Sequence, residues 1–185
     1  MMDKTADCCE GENQKKARKL PAESRLIPLL IGGFTLLTLL FGGWLIYQSS
    51  PANLESTANA QAYTEQASAD WGEIDINGGN AAYDFRIENR GTETLTLTNV
   101  QTSCDCTTAQ ININGDASPY FGMHSTSSWV GKVPPGETAT LTVIFDPLFH
   151  GPDAVGPMER FIAIETNDAN QPMLEFKLTG NVIKK

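Results

Sequence analysis

The chain has 185 residues, of which 41% are hydrophobic and 19% charged, a composition typical of a folded protein and not of a disordered one. Its formal net charge is −9, and residues 48–185 alone carry seven basic and seventeen acidic side chains. Because an acidic domain repels phosphate backbones, this charge argues against nucleic-acid binding.

The N-terminal part combines a basic tail with a long uncharged segment. Residues 1–25 are polar and include six basic side chains, and the 22 residues 26–47 contain no charge. At ~1.5 Å per residue, a helix of this length covers about 33 Å, enough to cross a hydrocarbon core. Because the basic residues come first, we predict a single transmembrane helix over 26–47, with residues 1–25 as a cytoplasmic tail and the C-terminal domain extracytoplasmic.

A cleaved signal peptide is the alternative for this region. Ala58-Asn59-Ala60 resembles a small-x-small cleavage site, but it lies well beyond residue 47, and the apolar run exceeds the ~7–15 residues of a signal core. We therefore favour a retained anchor. Cys8 and Cys9 in the tail are interpreted as reduced cytosolic thiols rather than lipidation or metal sites. Residues 48–70, rich in small and polar side chains, predict a flexible tether.

From residue 71 onward the sequence changes to short strands separated by turns. Apolar and polar residues alternate over 83–88, 95–98, 139–145 and 174–178, and Gly-, Pro- or Asn-rich turns lie between them. No amphipathic helix pattern interrupts this order. We therefore predict that residues 71–185 form an all-β domain, an immunoglobulin-like antiparallel β-sandwich of about seven to eight strands. The expected core is Phe85, Ile87, Leu95, Leu97, Leu141, Val143, Phe145, Ile162, Ile164, Leu174 and Phe176.

Cys104 and Cys106 are the two cysteines of the predicted domain. Side chains alternate along an extended chain, so the Cys-x-Cys spacing places both sulfurs on the same side. Three interpretations remain open: buried free thiols, a local disulfide closing a small and easily reduced ring, or a pair of metal ligands.

A soft-metal site is the interpretation that makes the most specific functional prediction. Two long predicted loops, residues 114–127 and 146–157, carry the two histidines of the chain and a methionine. Thiolate, thioether and imidazole together suit Cu(I), thiolates with imidazoles suit Zn(II), and loops cluster at the ends of a sandwich. The candidate ligands, for Cu(I) above all, are Cys104, Cys106, Met123, His124 and His150.

Several short motifs occur in a distinctive order. They are Tyr83 to Gly91, Ser103 to Thr107 around the cysteines, Pro135-Gly136-Glu137, Thr166-Asn167-Asp168 and Gly180-Asn181-Val182. With this order the chain resembles, over about residues 71–183, the bacterial domain-of-unknown-function 1573 family. The resemblance implies an exported or anchored immunoglobulin-like domain and supplies no mechanism. The family usually has glycine between the cysteines, where this chain has Asp105.

Sequence motifs for catalysis are not found in this chain. There is no Gly-x-Ser-x-Gly elbow, no phosphate-binding loop and no His-Glu-x-x-His run. We therefore expect a non-enzymatic, membrane-anchored extracytoplasmic interaction or scaffold module with a protein partner and no resident cofactor. The alternative is a copper-binding protein that uses the cysteines with the loop histidines and methionine.

Overall fold

The computed structural model describes residues 23–48 and 54–185, and within the helix it describes side chains for residues 28–44. The predicted cytoplasmic tail, with Cys8 and Cys9, lies outside the described residues except for its last three positions. The chain divides into two units between Ser50 and Pro51, the first helical and the second built from β-strands.

The described residues of the first unit, 23–48, form one helix, α1 (Glu23–Gln48). Its large apolar side chains between Leu29 and Trp44 are exposed. Among the residues whose side chains are described, no helix is both long enough and apolar enough to cross a membrane. The predicted transmembrane span over 26–47 is therefore not confirmed, and membrane anchoring stays a prediction.

Residues 54–185, the described part of the second unit, contain ten strands in two five-stranded sheets. The strands are β1 (Ala62–Tyr63), β2 (Ser68–Asp75), β3 (Ala81–Asn89), β4 (Leu95–Thr102), β5 (Thr107–Ile113), β6 (Asp116–Ala117), β7 (Gly131–Val133), β8 (Thr138–Phe145), β9 (Gly156–Thr166) and β10 (Met173–Ile183). One sheet has the order β1-β3-β8-β5-β6 and the other the order β2-β10-β9-β4-β7.

One pair of neighbouring strands is parallel, which corrects the prediction of a wholly antiparallel fold with seven to eight strands. β2 runs parallel to β10, with Ala69 opposite Leu178 and Ile74 opposite Val182. The additional strands carry little local signal, because β1 and β6 have two residues each and β7 has three. Alternation becomes recognisable only over about four to eight residues.

Residues 54–70, predicted as part of the tether, pack against the sheets. Thr57 forms a backbone bridge with Asp168, Ala60 is completely buried, and β1 pairs with β3. The folded unit therefore begins well before residue 71. This attachment has no pattern in the sequence, because the segment is held largely by backbone hydrogen bonds and not by an apolar stripe. Residues 49–53 of the predicted tether lie outside the described residues.

The two sheets pack face to face around an apolar core that both supply. All eleven predicted core residues are buried, as their period-two spacing implies. Phe85 of β3 meets Phe176 of β10 across the core, with ring centroids 4.8 Å apart. A smaller cluster of buried residues, here called the end cluster, consists of Ile74, Ile76, Cys106, Phe145 and Val182.

Candidate functional site

The domain cysteines lie in the tight turn that joins β4 to β5. The amide of Thr107 donates to the carbonyl of Cys104 at 3.1 Å, and the Thr102 hydroxyl donates to that same carbonyl at 3.0 Å. The turn brings the two sulfurs together, whereas the prediction from the Cys-x-Cys spacing assumed an extended chain. Asp105, between the cysteines, is exposed.

Cys104 and Cys106 form a disulfide, with their Cα atoms 5.3 Å apart. Of the three interpretations left open by the sequence, the structure therefore contains the local disulfide. The two sulfurs differ in their surroundings: Cys106 is 2% exposed and belongs to the end cluster, whereas Cys104 is half-buried at its edge. An attacking group from solvent therefore has better access to Cys104.

Each cysteine sulfur has its own polar neighbour. The Nε2 atom of His150 lies 3.6 Å from Cys104 Sγ, and the Nε–H of Arg160 donates to Cys106 Sγ at 3.1 Å. The Arg160 guanidinium also lies 5.3 Å from the centre of the Phe145 ring. Burial lowers the pKa of Arg160, but an arginine keeps its charge at neutral pH. A positive charge therefore faces the buried sulfur, and an imidazole faces the accessible one.

Three of the five predicted metal ligands come together. The donor atoms of Cys104, Cys106 and His150 lie within 4.8 Å of one another, the only such group of His, Cys and acidic residues in the part of the chain that the structure describes. His124 is not part of this group, and both it and Met123 are exposed. Their loop is held along β5 instead, because Phe121 pairs with Ala109 and is buried.

Arg160 was not among the residues predicted from the sequence. The sequence pattern could have identified it, because Arg160 lies on β9 two residues before Ile162 and four before Ile164. Side chains at this spacing share one face of a strand, and both isoleucines are completely buried. A charged side chain on the inner face of a strand needs a partner, since an unpaired buried charge is costly. Here the partner is the sulfur of Cys106.

Exposed apolar side chains lie on the segments that contact the cysteine turn. The amide of Ser103 donates to the carbonyl of Phe161 at 2.9 Å, and the rings of Phe149 and His150 meet edge to face with centroids 5.1 Å apart. The Thr102 amide donates to the carbonyl of Gly122. We call the exposed residues on these segments the apolar rim; they are Met123, Leu148, Phe149 and Phe161.

The motif Thr166-Asn167-Asp168 has a structural role. The Asp168 carboxylate accepts hydrogen bonds from the amides of Ala62 at 2.9 Å and Asn170 at 2.8 Å. The Asn167 side chain accepts from the amide of Thr96 at 2.8 Å. These two side chains hold the segment around β1 and the start of β4.

Comparison with known proteins agrees with this architecture. A protein of unknown function from Porphyromonas gingivalis W83 superposes with a TM-score of 0.53 at 20% identity, covering 68% of this chain and 49% of that one. This chain therefore spans about half the length of that protein. The PapD-like domain 7 of human CEP192 gives a TM-score of 0.45 at 15% identity, covering 74% of this chain and 94% of that one.

At 20% identity, the match to the Porphyromonas gingivalis protein shows the fold alone. No curated protein is similar enough to this chain to match it. The sequence resemblance is confirmed over part of the domain: residues 63–115 match the family described as "Protein of unknown function (DUF1573)".

Proposed function

We propose that this chain is a non-enzymatic, membrane-anchored interaction module whose immunoglobulin-like domain binds a protein partner outside the cytoplasm. The observation that carries this proposal is the apolar rim. Large apolar side chains grouped on a surface are characteristic of contact sites, and the loops of a rigid scaffold are where binding residues concentrate. Leu148 and Phe149, both exposed, lie on the loop between β8 and β9.

The experiment for binding compares variants inside and outside the rim. Tagged full-length protein would be cross-linked in intact cells, purified from solubilised membranes and examined by mass spectrometry. We expect Phe149→Ser to lose a partner that the wild type captures. Met173→Ser, a comparably exposed apolar position at the start of β10 and outside the rim, should retain that partner. Identical cross-linked proteins in both variants would refute the rim as a binding surface.

Anchoring rests on the sequence. The uncharged segment 26–47 follows a basic tail, an arrangement that favours a cytoplasmic N-terminus. Protease added to intact spheroplasts should therefore remove the domain and spare residues 1–25. A protected domain, or a mature N-terminus at Gln61, would contradict this orientation.

Soft-metal binding, most readily of Cu(I), is the second candidate function. Ligand atoms at ~2.0–2.3 Å from a tetrahedral metal are ~3.3–3.8 Å apart, and Cys104 Sγ and His150 Nε2 are 3.6 Å apart. The disulfide would first have to be reduced to free the two thiolates. The charge of Arg160 opposes this function, because it lies 3.1 Å from one sulfur and repels a cation.

Metal binding is tested by comparing two histidine variants. Full-length protein, with Cys8 and Cys9 replaced by Ser, would be reduced, incubated with Cu(I) without oxygen and analysed for bound copper. We expect His150→Gln to reduce the copper content of the protein and His124→Gln to leave it unchanged. Equal copper in both variants and in a Cys104→Ser, Cys106→Ser double variant would eliminate this function.

A further inference from the structure

The environment of the disulfide differs sharply between its two sulfurs. Cys104 is half-buried and Cys106 is buried in the end cluster. In a thiol–disulfide exchange the attacking thiolate approaches one sulfur, and the other sulfur leaves as a thiolate. Access therefore makes Cys104 the sulfur that is attacked and Cys106 the sulfur that leaves.

The buried leaving group has a positively charged partner already in place. The Nε–H of Arg160 donates to Cys106 Sγ at 3.1 Å, and the guanidinium is fixed further against the Phe145 ring. A cationic neighbour stabilises a thiolate relative to a thiol, and a hydrogen bond to a charged group is stronger than one to a neutral group. The contact with Arg160 therefore becomes stronger as the sulfur–sulfur bond breaks.

We propose that the Cys104–Cys106 disulfide accepts two electrons by exchange with a dithiol of a polypeptide that docks on the apolar rim. The docking step rests on the proposed interaction function; the reaction goes beyond it. A polypeptide fits this site because the accessible sulfur selects a thiol, and the surrounding Phe149 and Phe161 select apolar side chains beside that thiol.

The reaction proceeds in two balanced steps. A thiolate of the partner attacks Cys104 Sγ, the bond between Cys104 and Cys106 breaks, and its electron pair stays on Cys106 beside Arg160. The second thiolate of the partner then attacks the partner's own sulfur in the mixed disulfide and displaces Cys104. The partner leaves as a disulfide and the domain keeps two electrons. Of the two protons released by the partner's thiols, one binds Cys104 and the other passes to solvent, so that Cys106 stays a thiolate beside Arg160.

His150 is suited to serve the second step as a positioning residue. Its Nε2 atom lies 3.6 Å from Cys104 Sγ, within reach to donate a hydrogen bond as that thiolate is displaced. The same charge at Arg160 that favours a free thiolate disfavours a bound cation. The arrangement thus supports electron exchange more directly than metal binding.

The first test separates the two sulfurs. Full-length protein with Cys8→Ser and Cys9→Ser would carry either Cys106→Ser or Cys104→Ser and be mixed with oxidised glutathione. We expect the remaining Cys104 to form the mixed disulfide at least about tenfold faster than the remaining Cys106, because a buried thiol reacts only when the structure opens. Equal rates, or faster reaction at Cys106, would overturn the proposed order of attack.

The second test measures the role of Arg160 at equilibrium. The protein would be equilibrated in mixtures of reduced and oxidised glutathione and its dithiol fraction quantified. Arg160→Gln should lower the equilibrium constant for reduction by at least about tenfold, the size expected for one hydrogen bond to a charged group. Arg160→Lys should restore much of this loss, and Arg86→Gln on the exposed face of β3 should have no effect.

Folding of each variant would be verified by tryptophan fluorescence, and a folded Arg160→Gln protein with an unchanged equilibrium constant would overturn the proposal.

The third test uses a dithiol peptide whose cysteines have apolar neighbours. Phe149→Ser should slow reduction by this peptide more than reduction by glutathione, and Met173→Ser, at an exposed position outside the rim, should slow neither. If Phe149→Ser affects neither reagent, docking on the rim fails while exchange itself stands. If neither reagent reduces the folded wild type, exchange fails while partner binding is judged separately by cross-linking.

Discussion

Replacing Asp168 by alanine is the most direct test of how the N-terminal segment is attached to the domain. The Asp168 side chain is 3% exposed, and its two oxygens accept hydrogen bonds from the amides of Ala62 and Asn170. One bond fixes β1, which is far away in sequence, and the other closes the local turn. Alanine would leave both amide groups without their acceptor.

The expected loss follows from these two bonds. A hydrogen bond to a charged group contributes ~1.5–3 kcal/mol, and an unsatisfied buried donor adds a desolvation cost. Since the contributions are not additive, we expect Asp168→Ala to reduce the free energy of unfolding by about 3–5 kcal/mol. That is a large fraction of the ~5–15 kcal/mol of a typical domain. Asp168→Asn keeps one carbonyl acceptor and should lose less.

Urea unfolding of the full-length chain carrying Trp44→Phe, followed by fluorescence of Trp71 and Trp129, provides the assay. The matched control is Asp84→Ala, which removes an exposed carboxylate whose partner is the Thr142 hydroxyl at 2.7 Å. We expect the control to change the free energy of unfolding by less than ~1 kcal/mol, as exposed polar contacts do. Limited proteolysis should also cut residues 54–63 faster in Asp168→Ala. If the two variants were equally stable, the carboxylate would not hold this segment.

Three further predictions concern the core, a pH-dependent contact and a close backbone approach. Leu141→Ala should cost ~2–5 kcal/mol in urea unfolding because Leu141 is completely buried, whereas Leu148→Ala at an exposed position should be nearly neutral. Hydrogen bonds from two neighbouring side chains lower the pKa of Glu93, so its stabilisation is present at neutral pH and is lost as the pH falls through that lowered value. Glu93→Gln should flatten the decline of stability in this acidic range; an unchanged decline would contradict the assignment. Gly91→Ala should lower the free energy of unfolding, since a Cβ there would collide with the backbone of residues 59–61. A Cβ at Gly122 contacts no other atom, so the Gly122→Ala protein should be as stable as wild type.

The sequence alone determined the strand-rich class and the core of this protein. Alternation with period two is a local property, so the residues of each strand indicate by themselves which side chains face inward. Phe85, Leu141 and Ile162 were therefore identifiable without knowing which strands are neighbours. The Cys-x-Cys spacing likewise ensured that two sulfurs lie near each other, although a turn and not an extended strand achieves it.

Only the tertiary structure decided what surrounds those sulfurs and how the first segment is held. Arg160 and His150 are 54 and 46 residues away from the cysteines they contact, and Asp168 is 106 residues from Ala62. Contacts of this kind depend on strand order and register, which leave no periodic trace in the sequence. Gly91 shows the same limit: its place in a turn was evident, but the chain that passes against it comes from residues 59–61, and only the packed fold brings that backbone there.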